Sequence, residues 1–417
     1  MQNDGYYRAR KGLPRLRKKL QNGEPACIVA FGSSITVDGY YLAAVVPGLR
    51  HAYPTAAIRL EKVGRRSFDT VLAAFDAQSA IEERPDLVLL EFAVNDHAAG
   101  IRPFIAPALL GIIAQVREAL PLCEFAFVYH GRIIDGAPAD RLQMDIHDAV
   151  AHVLNIPSID VDLLSTGLVL RGHAEYLGDS PRALTTDGTH QTEAAAELIG
   201  IPFSQALLDI LNASGEPEDP LELPSLAEVA ELAVDASNPR LAASIVPNVD
   251  FDGLTFCSLM NERHCMPDMS TFNGLIVSMS GPDSPDGNET LFRRARRRSP
   301  QDFVASNGWG AREEQQNPGM HNRETSLVAL EPGATIRVPI CSQFACFVGF
   351  ANNTPLTMRI DGLSATVQPQ RILSAIGQAT WVLAVANGLG EDEHVIEIAA
   401  SEAMIAFNDI YYIQSAR

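Results

Sequence analysis

The chain has 417 residues, of which 47% are hydrophobic and 20% are charged, so it is too apolar for wholesale disorder and long enough for two domains. Its formal net charge of -19 argues against nucleic acid and anionic membranes as partners, because both would repel such a surface. The polar N-terminus lacks the apolar segment of a secretory signal, and no later window resembles a membrane span. We therefore expect a cytoplasmic protein.

The cysteines are spread along the chain without CxxC spacing, which favours reduced thiols over a disulfide framework or a zinc site. They are Cys27, Cys123, Cys257, Cys265, Cys341 and Cys346. We expect neither a metal nor another cofactor, and the sequence leaves the oligomeric state open.

Residues 1–213 alternate short β-rich runs with longer helical patterns, which is typical of βαβ units around a parallel sheet. The predicted strands are 26–31, 57–63, 87–92, 124–130 and 156–161, and their near-continuous apolar runs suit strands that are buried on both faces. The predicted helices are 40–51, 70–83, 105–119, 139–154 and 192–212. We predict a flavodoxin-like, three-layer α/β fold with the strand order 2-1-3-4-5.

The second half of the chain has a different pattern. Residues 214–235 begin with a stretch rich in Pro, Glu and Ser and are predicted to be a linker, and residues 236–330 are irregular, with no period that defines elements. Residues 331–417 contain seven strand-like runs separated by turn signals, which indicates a β-sandwich. These runs are 334–340, 345–351, 356–361, 365–370, 380–386, 394–400 and 404–413.

One basic cluster interrupts this acidic chain. It consists of Arg293, Arg294, Arg296, Arg297 and Arg298, between stretches rich in Pro, Gly and Ser. A solvated loop is the plain interpretation, and a docking site for an anionic sugar or a phosphate is the alternative.

The first candidate motif is GSSIT at the end of the first predicted strand, where Gly32 supports a tight turn and Ser34 lies where a helix begins. Ligands of open α/β sheets bind outside the carboxyl ends of the strands, and a helix N-terminus offers backbone N–H groups to an oxyanion. Ser34 is therefore a candidate nucleophile. A plain N-cap serine is the alternative.

The second motif is AVND, where Asn95 and Asp96 directly follow the third predicted strand. An asparagine amide at this edge can donate a hydrogen bond to developing negative charge. The alternative is an Asx-turn that ends the strand.

The third motif is DGTH, in which Asp187 and His190 are three residues apart in a turn before the last predicted helix. A histidine takes the proton of a serine nucleophile, and a carboxylate holds the imidazole in the required tautomer. The alternative is a capping and surface role. All three motifs lie in chain order at the same predicted edge of the sheet, which favours the catalytic interpretation.

In these three motifs the chain resembles the SGNH (GDSL-like) hydrolases, over about residues 22–212. The resemblance implies a serine esterase in which Ser34 attacks an acyl carbonyl, His190 acts as general base and then general acid, and Asp187 orients His190. It also implies that Asn95, the Ser34 backbone N–H and a donor in the turn after the second strand bind the oxyanion. Gly64 is the predicted third donor, with Ser67 as the alternative.

Three departures from the family pattern stand out, of which the first is that the turn after the second predicted strand has one glycine, Gly64. Ser33 occupies the position where the family usually has aspartate, and Ala93 occupies the position of the first glycine of GxND. We therefore expect the basicity of His190 to depend chiefly on Asp187.

We expect the substrate to be a short-chain ester, namely an O-acetyl group on a carbohydrate or oligosaccharide. The segment 163–186, predicted to be a loop, offers Arg171, Tyr176 and Arg182 to sugar hydroxyls and carboxylates, and its alternative is a solvated surface. An acyltransferase that uses a sugar hydroxyl, a lipase or lysophospholipase, and a non-catalytic carbohydrate-binding protein are the alternative functions.

Overall fold

The structure is a computed structural model. It describes residues 5–66, 68–97, 102–134, 136–217, 223–224, 228–229, 293–298, 309–313, 325–350, 356–361, 363–367, 370–373, 379–387, 393–401 and 406–414. By contacts between residues the chain divides into two units, largely 1–247 and 248–417. Each unit is described by itself.

The described residues of the N-terminal unit form ten short strands. They are β1 Tyr7–Arg8, β2 Ala26–Gly32, β3 Ile58–Gly64, β4 Leu87–Glu91, β5 Glu124–Tyr129, β6 Ile133–Ile134, β7 Ala137–Pro138, β8 Ser158–Asp160, β9 Glu175–Leu177 and β10 Ala183–Thr185. Six of them form one sheet in the order β1-β8-β5-β4-β2-β3. The five predicted strands are parallel in this sheet, so the strand order 2-1-3-4-5 is confirmed. The added edge strand β1 is antiparallel to β8.

Residues of β2, β4 and β5 are buried along the whole strand, as expected of central strands that are covered on both faces. Register brings the carboxyl ends of three strands together, because Gly32 at the end of β2 pairs with Gly64 of β3 and with Glu91 of β4. This edge is where the candidate motifs begin.

The N-terminal unit contains nine described helices. They are α1 Pro14–Gln21, α2 Ser34–Asp38, α3 Val45–Ala52, α4 Thr70–Glu82, α5 Arg102–Ala119, α6 Leu142–Val153, α7 Val161–Leu170, α8 Ala195–Leu198 and α9 Gly200–Ala213. The five predicted helical segments correspond to α3, preceded by a 3₁₀ turn at Tyr40–Leu42, to α4, α5 and α6, and to α8 with α9.

The prediction of a loop over 163–186 was wrong. Its first residues complete α7, which begins after Asp160, whose side chain accepts the Leu163 backbone N–H at 2.9 Å as an N-cap. The segment also contains β9 and β10, which pair in parallel. The buried Ala174, Ala183 and Leu184 anchor these residues to the core.

The second unit is rich in antiparallel strands. They are β11 Ala295–Arg298, β12 Trp309–Glu313, β13 Thr325–Ala329, β14 Thr335–Phe350, β15 Leu356–Ile360, β16 Leu363–Val367, β17 Gln370–Leu373, β18 Ala379–Asn387, β19 Glu393–Ala400 and β20 Ala406–Gln414. All their described pairings are antiparallel. The mainly β character is therefore confirmed for these residues, whereas the packing of two sheets as a sandwich stays a prediction.

Two predicted runs, 334–340 and 345–351, belong to the single strand β14. Its register against β20 shifts between Ser342 and Phe344, so the chain bulges there without ending the strand. The loop prediction for the arginine cluster was also wrong for 295–298, which form β11 and pair with residues 410–413 of β20. A partner more than 100 residues away in the chain gives no local signal.

Several predictions lie outside the described residues or rest on few of them. They concern most of the linker 214–235, most of the irregular segment 236–330, and Cys257 and Cys265. Cys27 and Cys123 are described, and both are free and buried. No helix in the described part of the chain combines the length and apolar character that crossing a bilayer requires.

Candidate active site

The nucleophile turn joins β2 to α2. Ser33 is the N-cap of α2, and its hydroxyl accepts the Ile35 N–H at 3.3 Å. Gly32 is required by close packing, since a Cβ there would lie 2.1 Å from Thr36 Oγ1 and 2.6 Å from the Glu91 carbonyl oxygen. Ser34 is thereby placed at the first position of the helix, as predicted, where its backbone N–H has no acceptor within the helix.

The histidine turn carries Asp187 and His190. Gly188 in this turn has φ +82°, and a Cβ there would lie 2.3 Å from the Ile133 carbonyl oxygen, so a side chain is excluded. The Ile133 N–H donates to the Gly188 carbonyl at 2.7 Å, which docks β6 against the turn. The turn therefore brings together the two ends of the motif, Asp187 and His190.

The geometry predicted for Ser34, His190 and Asp187 is present. His190 Nε2 lies 3.0 Å from Ser34 Oγ, and its Nδ1 lies 2.7 Å from Asp187 Oδ2. Asp187 Oδ1 accepts the backbone N–H groups of Thr189 and His190 at 2.9 and 2.7 Å. Partial burial acts to raise the pKa of Asp187, but the hydrogen bonds from His190 and Thr189 outweigh it and hold this pKa below its usual value. The carboxylate is therefore ionised across the neutral range.

Asn95 and Asp96 link β4 to the segment that follows β3. Asn95 Nδ2 donates to the Phe68 carbonyl at 2.8 Å, and Asp96 Oδ1 accepts the Thr70 N–H at 2.9 Å. A primary amide has two hydrogens to donate, so the bond to Phe68 still leaves one for an oxyanion. The chain also turns here, because the Asn95 N–H donates to the Phe92 carbonyl at 2.9 Å, whereas the Asx-turn of the alternative interpretation stays a prediction.

Gly64 lies against the nucleophile turn. A Cβ at this position would lie 3.1 Å from the Ser33 carbonyl oxygen and 3.0 Å from Val37 Cγ2, which explains the glycine by close packing. The neighbouring Arg65 N–H is committed to the Gly32 carbonyl at 3.1 Å. Ser67 lies outside the described residues, so the choice between Gly64 and Ser67 as third donor stays a prediction.

The three residues predicted to bind sugar are in different environments. Tyr176 donates its hydroxyl to Thr166 Oγ1 at 3.0 Å and lines a cavity of about 30 Å³ together with Thr189 and Gln191, which flank His190. Arg182 forms an exposed ion pair with Glu175 at 2.6 Å, and Arg171 is exposed at the end of α7. Tyr176 is thus the one of the three that the structure brings to a cavity beside the triad turn.

The sequence-based predictions missed a buried polar group behind the nucleophile. Glu91 at the end of β4 is fully buried, and its Oε2 accepts the Ser33 N–H at 3.1 Å and the Ser33 hydroxyl at 2.9 Å. His130 and Gln191 continue the group on the other side. The available signal was a glutamate in the otherwise apolar strand sequence LVLLEF.

Burial sets the charge of two members of this group. It raises the pKa of Glu91 to about 8, even though the hydrogen bonds from Ser33 and Thr36 act in the opposite direction. Burial lowers the pKa of His130 to about 3. Glu91 Oε1 and His130 Nδ1 are 3.7 Å apart, and these pKa values make the contact one between two neutral groups at neutral pH.

No set of three or more His, Cys, Asp or Glu side chains within the described ranges is arranged to hold a metal ion. The constellation around Ser34 instead contains a hydroxyl, an imidazole, a carboxylate and N–H donors. These are the groups that acyl transfer through a covalent intermediate requires.

Comparisons with known proteins bear on the fold. No family model matches the chain, and no curated protein matches it. Among solved structures it is similar to a two-domain esterase (CEX) active on acetylated mannans, with 16% identity over 99% of both chains and a TM-score of 0.61. The same esterase co-crystallised with mannopentaose matches with 15% identity, 99% of both chains and a TM-score of 0.59. The chain thus shares the fold of that two-domain esterase, and the α/β fold implied by its resemblance to the SGNH/GDSL hydrolases is confirmed.

Proposed function

We propose that the chain is a serine ester hydrolase that works through an acyl-enzyme on Ser34. The observation that carries this proposal is the continuous set of contacts from Ser34 Oγ to His190 Nε2 at 3.0 Å and from His190 Nδ1 to Asp187 Oδ2 at 2.7 Å. A histidine with a hydroxyl on one nitrogen and a carboxylate on the other has the geometry needed to remove and return a proton.

In this mechanism Ser34 Oγ attacks the acyl carbonyl while His190 Nε2 takes its proton. The oxyanion that forms accepts hydrogen bonds from the Ser34 N–H and from the Asn95 side chain. Collapse of the tetrahedral intermediate breaks the ester bond, and His190 gives its proton to the departing alcohol. Water, deprotonated by His190, then hydrolyses the acyl-enzyme and restores Ser34. Asp187 holds the imidazole tautomer and stabilises the imidazolium throughout.

The proposed substrate is a short-chain acyl ester, chiefly acetyl, on a carbohydrate hydroxyl. Two features support it. The similar two-domain esterase is active on acetylated mannans, and the Tyr176 ring lies near the triad turn, where it lines a cavity with room only for water. Aromatic rings suit the apolar faces of sugar rings, which present C–H groups.

One observation favours a second candidate, hydrolysis of longer acyl chains. Leu170 and Leu177 are 82% and 47% exposed in the segment predicted to contact the alcohol. Each methylene buried against such side chains would add about 0.8 kcal/mol of binding free energy. An acyl series therefore separates the two candidates.

The test combines covalent labelling with a substrate series. A fluorophosphonate should label the wild-type protein on the peptide that contains Ser34, and Ser34→Ala should abolish both labelling and turnover. Specific activity on acetyl, butyryl and octanoyl aryl esters should decrease with acyl length. The protein should then release acetate from acetylated mannan and xylan oligosaccharides. Higher kcat/KM for octanoyl than for acetyl esters would replace the carbohydrate ester by a lipid ester.

A further inference from the structure

Glu91 places a carboxyl group beside Ser33, a position at which the nucleophile motif of this chain has no acidic residue. Position 33 carries serine, whereas the related motif usually has aspartate before the nucleophile. Glu91 reaches this position from the neighbouring strand, because β2 and β4 pair with Gly32 opposite Glu91. Its Oε2 accepts the Ser33 N–H, the Ser33 hydroxyl and the Thr36 hydroxyl at 3.1, 2.9 and 3.0 Å.

The far side of Glu91 leads to the histidine turn. The Tyr41 backbone N–H, which can only donate, bonds to one side-chain atom of Gln191 at 3.1 Å, so that atom is the amide oxygen. The amide nitrogen of Gln191 must therefore donate to His130 Nε2, 3.3 Å away. In neutral His130 the remaining proton then lies on Nδ1, which is 3.7 Å from Glu91 Oε1.

These buried groups lie in a row between the two parts of the triad, and within the row the 3.7 Å between Glu91 Oε1 and His130 Nδ1 is longer than a hydrogen bond. Ser33 precedes Ser34, and Gln191 follows His190 in the chain. Between them Glu91 is fully buried, and the His130 side chain is 6% exposed. The Ser33 N–H donates to the carboxyl group of Glu91, and the hydroxyls of Ser33 and Thr36 can donate to it or accept from it, so these partners suit the carboxyl group with or without its proton.

We propose that Glu91 is a positioning residue for Ser34, which supplies from β4 the carboxyl group missing at position 33, and that His130 and Gln191 couple it to the turn of His190. This inference rests on the proposed esterase function. Glu91 holds both the N–H and the hydroxyl of Ser33, and this fixes the direction in which Ser34 leaves the strand. Displacement of a reacting group by about 1 Å can reduce turnover by about 100-fold.

The central test is Glu91→Gln, which retains the size of the side chain. The amide presents two hydrogens on one side, where the carboxyl group presents one when it is protonated and none when it is ionised, so at least one further N–H is set against the surrounding donors. We expect kcat on a small acetyl ester to fall by roughly 10- to 100-fold while KM changes by less than about 3-fold, because substrate contacts are untouched.

Glu124→Gln is the matched control. Glu124 is also a buried carboxyl group whose pKa is raised by burial, but it is the first residue of β5, at the opposite end of the sheet. It accepts the backbone N–H groups of Arg15 and Leu16 at 3.1 and 2.8 Å, which begin α1 away from Ser34. This variant should lower the unfolding temperature and leave kcat within about 2-fold, since it replaces one acceptor of the α1 backbone N–H groups and changes no contact of Ser34.

Moving the carboxyl group back to position 33 gives a rescue experiment. Ser33→Asp alone places two carboxyl groups in contact, so its kcat should be lower than that of the wild type. The double variant Ser33→Asp with Glu91→Gln should have a kcat at least about 10-fold higher than Glu91→Gln alone. If Glu91→Gln does not fold, Ser33→Ala replaces it, because this change removes one contact and keeps the carboxyl group. Its kcat should fall several-fold at unchanged KM.

The outcomes separate the two proposals. Full activity of Ser34→Ala would remove the esterase mechanism itself. With that mechanism intact, the role of Glu91 is overturned if Glu91→Gln keeps at least half of the wild-type kcat, if Glu124→Gln loses as much kcat, or if the double variant is no better than Glu91→Gln.

Discussion

The pair of His190 with Asp187 and the pair of His147 with Asp96 both lie in the α/β half of the molecule, and each has a hydroxyl group beside it. In the site at Ser34, His190 contacts Asp187 through Nδ1 and Ser34 through Nε2. In the second pair, His147 Nε2 lies 2.6 Å from Asp96 Oδ2 and 3.3 Å from Thr70 Oγ1. The side chains have the same chemistry, but the second histidine meets both partners through one nitrogen.

Exposure separates the two pairs as clearly as geometry does. The side chains of His190 and Asp187 are 23% and 53% exposed, whereas those of His147 and Asp96 are fully buried. A proton relay needs two different partners on the two nitrogens and access for substrate. The pair at His147 has neither, and its contacts instead fix Thr70 at the start of α4. The residue types alone therefore do not distinguish a catalytic site from a structural one.

The largest expected effect is the loss of kcat when the Ser34 hydroxyl is removed. Removal of the Thr70 hydroxyl is the comparison. Ser34→Ala should reduce kcat by at least about 10⁴-fold, because loss of a triad nucleophile leaves only the contribution of the oxyanion donors and binding. Thr70→Val should change kcat by less than about 5-fold and should instead destabilise the fold by about 1–3 kcal/mol, since it leaves Asp96 short of a buried donor. Steady-state kinetics and urea unfolding measure the two effects. Equal losses of kcat would remove the distinction between the pairs.

The two aspartates give the second comparison. Asp187→Asn should reduce kcat by about 10³- to 10⁴-fold, because an asparagine no longer holds the required tautomer of His190. Asp96→Asn should act mainly on the urea midpoint, with kcat less affected. If Asp187→Asn retained half of the wild-type activity, another group would orient the histidine.

Asn95 is the predicted oxyanion donor of the site at Ser34, and it directly precedes Asp96 of the buried pair. Its substitution therefore tests catalysis and stability together. Asn95→Ala should reduce kcat by about 100- to 1000-fold if the amide donates to the oxyanion. The same change removes its bond to Phe68, which is worth about 1 kcal/mol of folding free energy. Comparison of kcat with the unfolding midpoint distinguishes these contributions, and a loss of stability without a loss of kcat would leave Asn95 with the Asx-turn interpretation alone.

What the sequence predicts here is local in the chain. The GSSIT turn and the DGTH spacing each place their residues within one turn, and strand order follows from the βαβ pattern, so these features could be predicted. Glu91 could not be assigned to Ser33 in this way, because their contact depends on the register of β2 against β4. The loop prediction for the arginine cluster was wrong for the same reason, since β11 is defined by pairing with the distant β20.

The segment 163–186 shows a different limit. Its glycines and polar residues indicate a loop, yet Asp160 caps α7, and Leu184 is buried. Arg182, predicted to meet a sugar carboxylate, is instead paired with Glu175 at the surface. Composition therefore predicted the polarity of this segment but not which of its side chains point towards the triad turn.

The last comparison concerns a third pair, Glu91 and His130, whose members are both neutral at neutral pH, whereas Asp187 beside His190 is ionised. In the folded chain the pKa of Glu91 is about 8, against 4.5 for an ordinary glutamate, so between these values the folded state holds a proton that the unfolded state has lost. The contribution of Glu91 to stability is thus complete below about pH 4.5 and is lost as the pH rises through about 8.

Glu91→Gln removes this dependence, while His130, Tyr41 and Asp96, the other titratable groups that face or influence Glu91, remain in both proteins. The free energy of unfolding of the wild type minus that of Glu91→Gln should therefore decrease by up to about 1.4 kcal/mol per pH unit between these limits and should be flat outside them. Urea unfolding of both proteins from pH 4 to pH 9 measures the difference. A difference that increases with pH would mean that the buried group is ionised in the folded state and that its donors outweigh burial.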